Sequence, residues 1–175
     1  ARIRMDPLRG GRLASLQVDG RELLVTEDHD VRGWGAYPLL PWAGRIRSGR
    51  FVWQNETIQL PINLAPHAIH GTVLDREWTK EDSDTMVCDL GSEWPWSGRA
   101  RSRVELCAER LVWTTTVESD RVPFPVVIGW HPWFLREPLP GVSMQFSVPA
   151  QEMYVRDDDG IPNGMLQDPT VGPWD

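Results

Sequence analysis

The sequence predicts an all-β chain folded as an antiparallel sandwich or barrel. Three observations carry this: short segments alternate with period two, turn residues separate them at frequent intervals, and no stretch holds a helical period. In chain order, residues 12–18 put Ala14, Leu16 and Val18 on one face. Asp19-Gly20 is a dipeptide suited to a two-residue hairpin turn, and residues 21–25 return. Residues 50–54 and 57–60 predict a second hairpin about Asn55-Glu56, with Phe51 and Trp53 on one side and Ile58 and Leu60 on one side of the return. Residues 101–107 and 111–117 predict a third about Ala108-Glu109-Arg110, with Val104 and Leu106 facing Leu111, Trp113 and Val117. Further strands are expected at 85–90, 125–130, 143–148 and 152–155, separated by turns such as Asp157-Asp158-Asp159-Gly160 and Pro162-Asn163-Gly164.

A length of 175 residues suits one domain with its own apolar core, and no linker, repeat or low-complexity tract divides 1–175. With 18 basic against 25 acidic residues, a net charge of -7 gives no general attraction to phosphate backbones or anionic membranes, so nucleic acid and membrane are not expected partners. No apolar run approaches the roughly 18 residues a membrane helix needs, and the first residues lack the apolar stretch of a signal peptide. The expected location is the cytoplasm, consistent with reading Cys88 and Cys107 as free core thiols rather than a disulfide or zinc pair. Oligomeric state is left open. Ala1 leads straight into a strand-like segment and Val171 to Asp175 stops in what reads as a turn, so the chain is expected to be incomplete at both ends.

Three clusters set ionisable groups among apolar residues, Gly, Pro and Trp. In Leu39-Leu40-Pro41-Trp42-Ala43-Gly44-Arg45-Ile46, Arg45 is either an exposed turn residue or a charged fork that donates to sugar hydroxyls. In Pro66-His67-Ala68-Ile69-His70-Gly71 the flanking Pro and Gly favour extended or turn backbone. Two histidines three apart then point to opposite sides, and with no third ligand at a metal spacing no metal site is expected. In Val127-Ile128-Gly129-Trp130-His131-Pro132-Trp133-Phe134 one His interrupts an apolar run, and Pro132 holds the backbone at His131 extended. The Asp157 to Gly160 run reads as a solvated turn, because the rest of a calcium loop is missing.

Taken in order, these pieces resemble the aldose 1-epimerase, or galactose mutarotase, family. The early strand Gly10-Gly11-Arg12-Leu13-Ala14-Ser15-Leu16, the tripeptide Gly44-Arg45-Ile46, the dipeptide His70-Gly71 and the tetrapeptide His131-Pro132-Trp133-Phe134 stand where that family has similar motifs. The resemblance implies a large antiparallel β-sandwich, the mutarotase supersandwich, of which this chain is the N-terminal portion with the C-terminal portion missing. It also implies interconversion of the α and β anomers of a free hexose by ring opening and closure, without metal or organic cofactor. His131 would protonate the ring oxygen, and His70 and Arg45 would orient the sugar. Trp42 and Asp175 would also contact the monosaccharide substrate, while a glutamate base would lie beyond Asp175. Gly44 departs from the asparagine usual in the family. Two alternatives share the fold: a hexose-6-phosphate 1-epimerase using Arg45, Arg47 and Arg50, and a non-catalytic carbohydrate-binding sandwich using Trp42, Trp94 and Trp96.

Overall fold

The structure, a computed structural model, describes residues 1–145 and 147–169. Four strands come first: β1 (Arg2–Asp6), β2 (Arg12–Val18), β3 (Arg21–Glu22) and β4 (Ala36–Leu39). β5 (Arg45–Ile46), a 3-10 turn at Arg47–Gly49, β6 (Arg50–Trp53), β7 (Glu56–Gln59) and β8 (Ala68–Ile69) follow. β9 (Thr79–Lys80), β10 (Thr85–Asp89), β11 (Gly98–Leu106) and β12 (Leu111–Ser119) form the middle of the chain. β13 (Gly129–Pro132), β14 (Met153–Arg156) and β15 (Pro162–Gln167) end it. One sheet runs β1-β2-β4-β13 with β3 on β2, a second runs β12-β11-β10-β9, and β5-β8, β6-β7 and β14-β15 are two-stranded ribbons. The strand pairs are antiparallel.

The hairpins form where turn chemistry directs them. Asp19 and Gly20 hold φ of 50° and 76°, the two successive left-handed residues of a tight hairpin turn. In the second hairpin the left-handed pair is Gln54 and Asn55, at 49° and 65°, so the turn lies one residue earlier than expected. Asn tolerates that region better than Glu, and Glu56 is thereby released to pair with Trp53. The third hairpin is longer than expected, pairing from Gly98↔Ser119 to Leu106↔Leu111 with Val104 opposite Trp113.

Other expectations need correction. Within 125–130 only Gly129 and Trp130 are in a strand, because Pro123 and Pro125 supply no N–H for a ladder and pairing begins where β13 meets β4. The described residues of 143–148 form no strand; the Met144 N–H donates to Arg136 O at 2.7 Å instead. Pro162 to Gly164 lie in β15 rather than a turn, since the chain has already reversed at 157–160, where the Gly160 N–H donates to Asp157 O at 2.8 Å. Cys88 is buried as expected, with its thiol pKa pushed up by burial to about 11, but Cys107 is exposed beside the β11–β12 turn.

The core joins the two sheets. Leu13, Leu24 and Ala36 pack with Leu111 and Trp113 of β12. Met86, Cys88 and Ala100 pack with Leu40, Trp42, Val73, Trp78 and Trp94 from the loops. Each fully buried aliphatic side chain contributes about 2 kcal/mol. β2 departs from simple alternation: Val18 is exposed, while Arg12, Leu13, Ala14 and Ser15 are all buried, so both faces of its first half are covered. Arg12 is fully enclosed. Its guanidinium donates to the carbonyls of Arg9 (2.7 Å), Val31 (2.8 Å) and Trp34 (3.0 Å), and lies 4.1 Å from the Trp34 ring centroid. Burial lowers its pKa to about 10, and the planar fork, which matches several carbonyls at once, keeps the charge satisfied. Among the described residues no helix is long and apolar enough to cross a membrane.

Candidate functional site

Two strand pairs carry the site. β13 lies antiparallel on β4 with His131 opposite Tyr37, and alternation along β13 turns His131 inward while Trp130 and Pro132 face out. The His131 ring stacks on Tyr37 at 5.2 Å between centroids and on Trp133 at 5.2 Å. The Tyr37 hydroxyl donates to Arg32 O at 2.9 Å, and the Trp133 indole N–H donates to the same carbonyl. The acid candidate is therefore wedged between two rings that share one anchor. Tyr37 is fully buried, and burial lifts its phenol to about 12, so it stays a neutral donor.

The second pair is β5 on β8, with Arg45 opposite Ile69. Asn63 fixes β8 through two bonds: its Nδ2 donates to Ile69 O at 2.9 Å, and its Oδ1 accepts the Ile69 N–H at 2.7 Å. The chain then turns through His70 and Gly71, both left-handed with φ of 61° and 83°, and the His70 N–H donates to Gly44 O at 3.0 Å. That reversal sends the His70 imidazole toward β13, where its centroid is 5.2 Å from that of His131 in an edge-to-face arrangement.

Both histidines hold their protons weakly. Burial, then the charges of His131, Arg45 and Arg32, lower the His70 pKa to about 4. Burial also lowers that of His131, while its own main chain acts the other way. The Nδ1 atoms of both rings are enclosed without a hydrogen-bond partner. A groove of about 540 Å³ lies alongside, lined by Arg32, Asn63, Gly71, Thr72, Arg76 and Glu93 among others. It shares Arg32 and Gly71 with the site, although neither imidazole lines it.

The structure thus brings together His131, His70 and Arg45. Trp42 is only 5% exposed and stacks on Trp94, and its edge lines the groove together with Arg32, Asn63 and Gly71. Trp94, buried, and Trp96, half-buried, pack on each other with Phe51 and Phe124 against them. Asp175 lies outside the described residues. His67 faces away from the pair: it is buried, its Nδ1 accepts the Ser48 N–H at 3.1 Å, and its Nε2 is 3.8 Å from Asp159. Among the described residues no three His, Cys, Asp or Glu side chains group as metal ligands. Tyr37, Arg32 and Asn63 were not legible as site residues, because each acts through a backbone carbonyl or a ring face that only the register brings into place. The nearest sequence signal was the Tyr37-Pro38 step inside an apolar run.

The aldose 1-epimerase family model matches residues 7–175. The uncharacterized protein YphB of Escherichia coli (strain K12) is 31% identical over 118 residues, covering 63% of this chain and 40% of that protein. The GalM/aldose epimerase homologue from C. elegans superposes with a TM-score of 0.76 at 18% identity, over 97% of this chain and 58% of that one. Galactose 1-epimerase from Lactobacillus acidophilus NCFM gives 0.68 at 18% identity, over 95% and 55% respectively. At these identities the superpositions establish a shared antiparallel β-sandwich fold. The chain spans 40% of YphB and little more than half of each of these two solved chains.

Proposed function

Because the chain belongs to the aldose 1-epimerase family, we propose that it interconverts the α and β anomers of a free hexose by acid/base ring opening and closure. The observation that carries this reading is the juxtaposition of His131, His70 and Arg45, with both Nδ1 atoms enclosed and unpartnered. His131 Nε2 gives its proton to the ring oxygen as a base takes one from the anomeric hydroxyl. The C1–O5 bond breaks, the aldehyde turns about C1–C2, and the reverse transfers close the ring on the other face. His70 and Arg45 hold the ring oxygen and neighbouring hydroxyls. Trp133, 40% exposed beside His131, offers an apolar face to the sugar.

The base is proposed to be a glutamate in the part of the family domain that follows residue 175. The charges that act on His70 are all cationic, and a carboxylate arriving opposite them stabilises the imidazolium that burial and those cations disfavour. A buried imidazolium is also a stronger acid than one in water, which suits proton donation to a weakly basic ether oxygen.

The test is polarimetry of freshly dissolved α-glucose or α-galactose with the full chain. His131→Ala is expected to lower the rate at least a hundredfold. A variant as fast as the parent would remove His131 from the chemistry.

A further inference from the structure

Two clamps hold the histidines of the site, and they come from different parts of the chain. The first is the ring stack on His131, in which Tyr37 and Trp133 both donate to the main-chain oxygen of Arg32 and so use both of its lone pairs. The second is Asn63, whose amide engages both main-chain groups of Ile69, the residue before His70. Arg32 touches both clamps. While its carbonyl receives the two ring bonds, its Nη1 donates to Asn63 O at 3.3 Å.

The loop around Arg32 is tied down at several points. Asp30 Oδ1 accepts the Arg32 main-chain N–H at 2.9 Å and its Nε at 3.0 Å, and Oδ2 accepts Nη2 at 3.1 Å. That fork-to-carboxylate match sets the plane of the guanidinium and aims Nη1 at Asn63. Beneath, the buried Arg12 donates to the carbonyls of Val31 and Trp34, on either side of Arg32. The Arg32 side chain is 30% exposed, in the lining of the groove that it shares with Asn63 and Gly71. An ion pair this exposed adds little to stability. Its consequence is geometric: one residue ties the element that presents His131 to the element that presents His70.

We propose that Arg32 is a positioning residue that fixes His131 relative to His70, its carbonyl holding the ring stack on one imidazole and its guanidinium holding the strand that ends at the other. The inference rests on the mutarotase reading given above. Both imidazoles must face one pyranose at once, and a displacement of about 1 Å can cost on the order of a hundredfold in rate. Lysine cannot replace arginine here, because an ammonium is a point charge, whereas the planar fork meets Asp30 with two nitrogens and Asn63 with the third.

The experiment is polarimetry of α-glucose and α-galactose with the full chain. Arg32→Gln and Arg32→Lys are each expected to lower kcat about tenfold with KM changed by less than about twofold. Full rate in Arg32→Lys would mean that Arg32 acts by charge alone, and a raised KM at unchanged kcat would make it a sugar contact; either result overturns the proposal. Tyr37→Phe keeps the stacked ring and deletes one bond to Arg32 O. Combined with Arg32→Gln, its loss in kcat is expected to fall short of the product of the single losses by about threefold, and simple multiplication overturns the shared route. A readout that needs no turnover is hydrogen exchange at the Trp133 indole N–H, identified by its absence in Trp133→Phe. Exchange about tenfold faster in Arg32→Gln than in the parent supports the link from guanidinium to ring, and equal rates reject it. If the parent turns over neither sugar, the mutarotase reading is what has failed, and the exchange rates still decide the link.

Discussion

At the scale of single residues, His70 links the site to stability. Its folded pKa is about 4 against an ordinary 6.5, chiefly through burial and then through the neighbouring cations. A depressed folded value means the unfolded chain binds the proton more tightly. The contribution to stability is therefore complete above about pH 6.5 and is lost as pH falls toward 4. After allowance for a ring that is only partly enclosed, the loss is about 2 kcal/mol, on the order of 5 °C in Tm. His70→Asn is the informative variant, since Asn is among the few residues that accept the left-handed backbone found there. Thermal melts between pH 7 and 4.5 are expected to fall less steeply for His70→Asn than for the parent. Parallel slopes would show that His70 is not the buried neutral group inferred here. The sequence exposed His70 and Arg45 as candidates through their Gly and Pro neighbours, but not the left-handed turn that aims the imidazole at His131.

At the scale of elements, the site depends on one crossing of main chains. Gly71 lies against Leu40, where a Cβ would stand 1.7 Å from the carbonyl oxygen, and the Thr72 N–H donates to that oxygen at 2.8 Å. Gly71→Ala must push β4 and the His70 turn apart while also holding a Cβ at φ of 83°. The expected cost exceeds about 3 kcal/mol, roughly 10 °C in Tm, with activity lost in the same variant. Gly44 is the control: its φ is 73°, yet nothing lies within 4 Å of an added Cβ. Gly44→Ala therefore carries only the backbone term of about 1 kcal/mol, and Tm differences of equal size in the two variants would refute the crowding at Leu40. Gly44→Asn would fit the same open space and place an amide beside Arg45. The hairpins were legible because local turn chemistry sets them. The 125–130 and 143–148 segments were not, because an apolar run becomes a strand only where a partner edge is free to pair, and here only Gly129–Pro132 finds one, on β4.

Across the described residues, two aromatic clusters stand apart that composition could not separate. Trp42, Trp94 and Trp96 form a stacked cluster with Phe51 and Phe124, with neighbouring centroids 5.1 to 6.4 Å apart, and fill the space between the loops and the β9–β12 sheet. Trp133 belongs instead to the Tyr37–His131 stack and remains 40% exposed. An abundance of indoles on a sugar-binding fold suggests stacking platforms, but tryptophan also supplies the largest apolar area per side chain, and most of these indoles are used that way. The division gives an optical test. In the full chain, a sugar that changes tryptophan fluorescence should act through Trp133, whose face adjoins the proposed acid, and not through the enclosed cluster. Trp133→Phe is expected to abolish most of the ligand-dependent change while losing the bond to Arg32 O, worth about 1 kcal/mol. Trp94→Phe should keep the ligand signal and reduce the ligand-independent emission. The reverse pattern would move the sugar away from His131 and toward the core cluster, and with it the chemistry assigned to the β4–β13 pair.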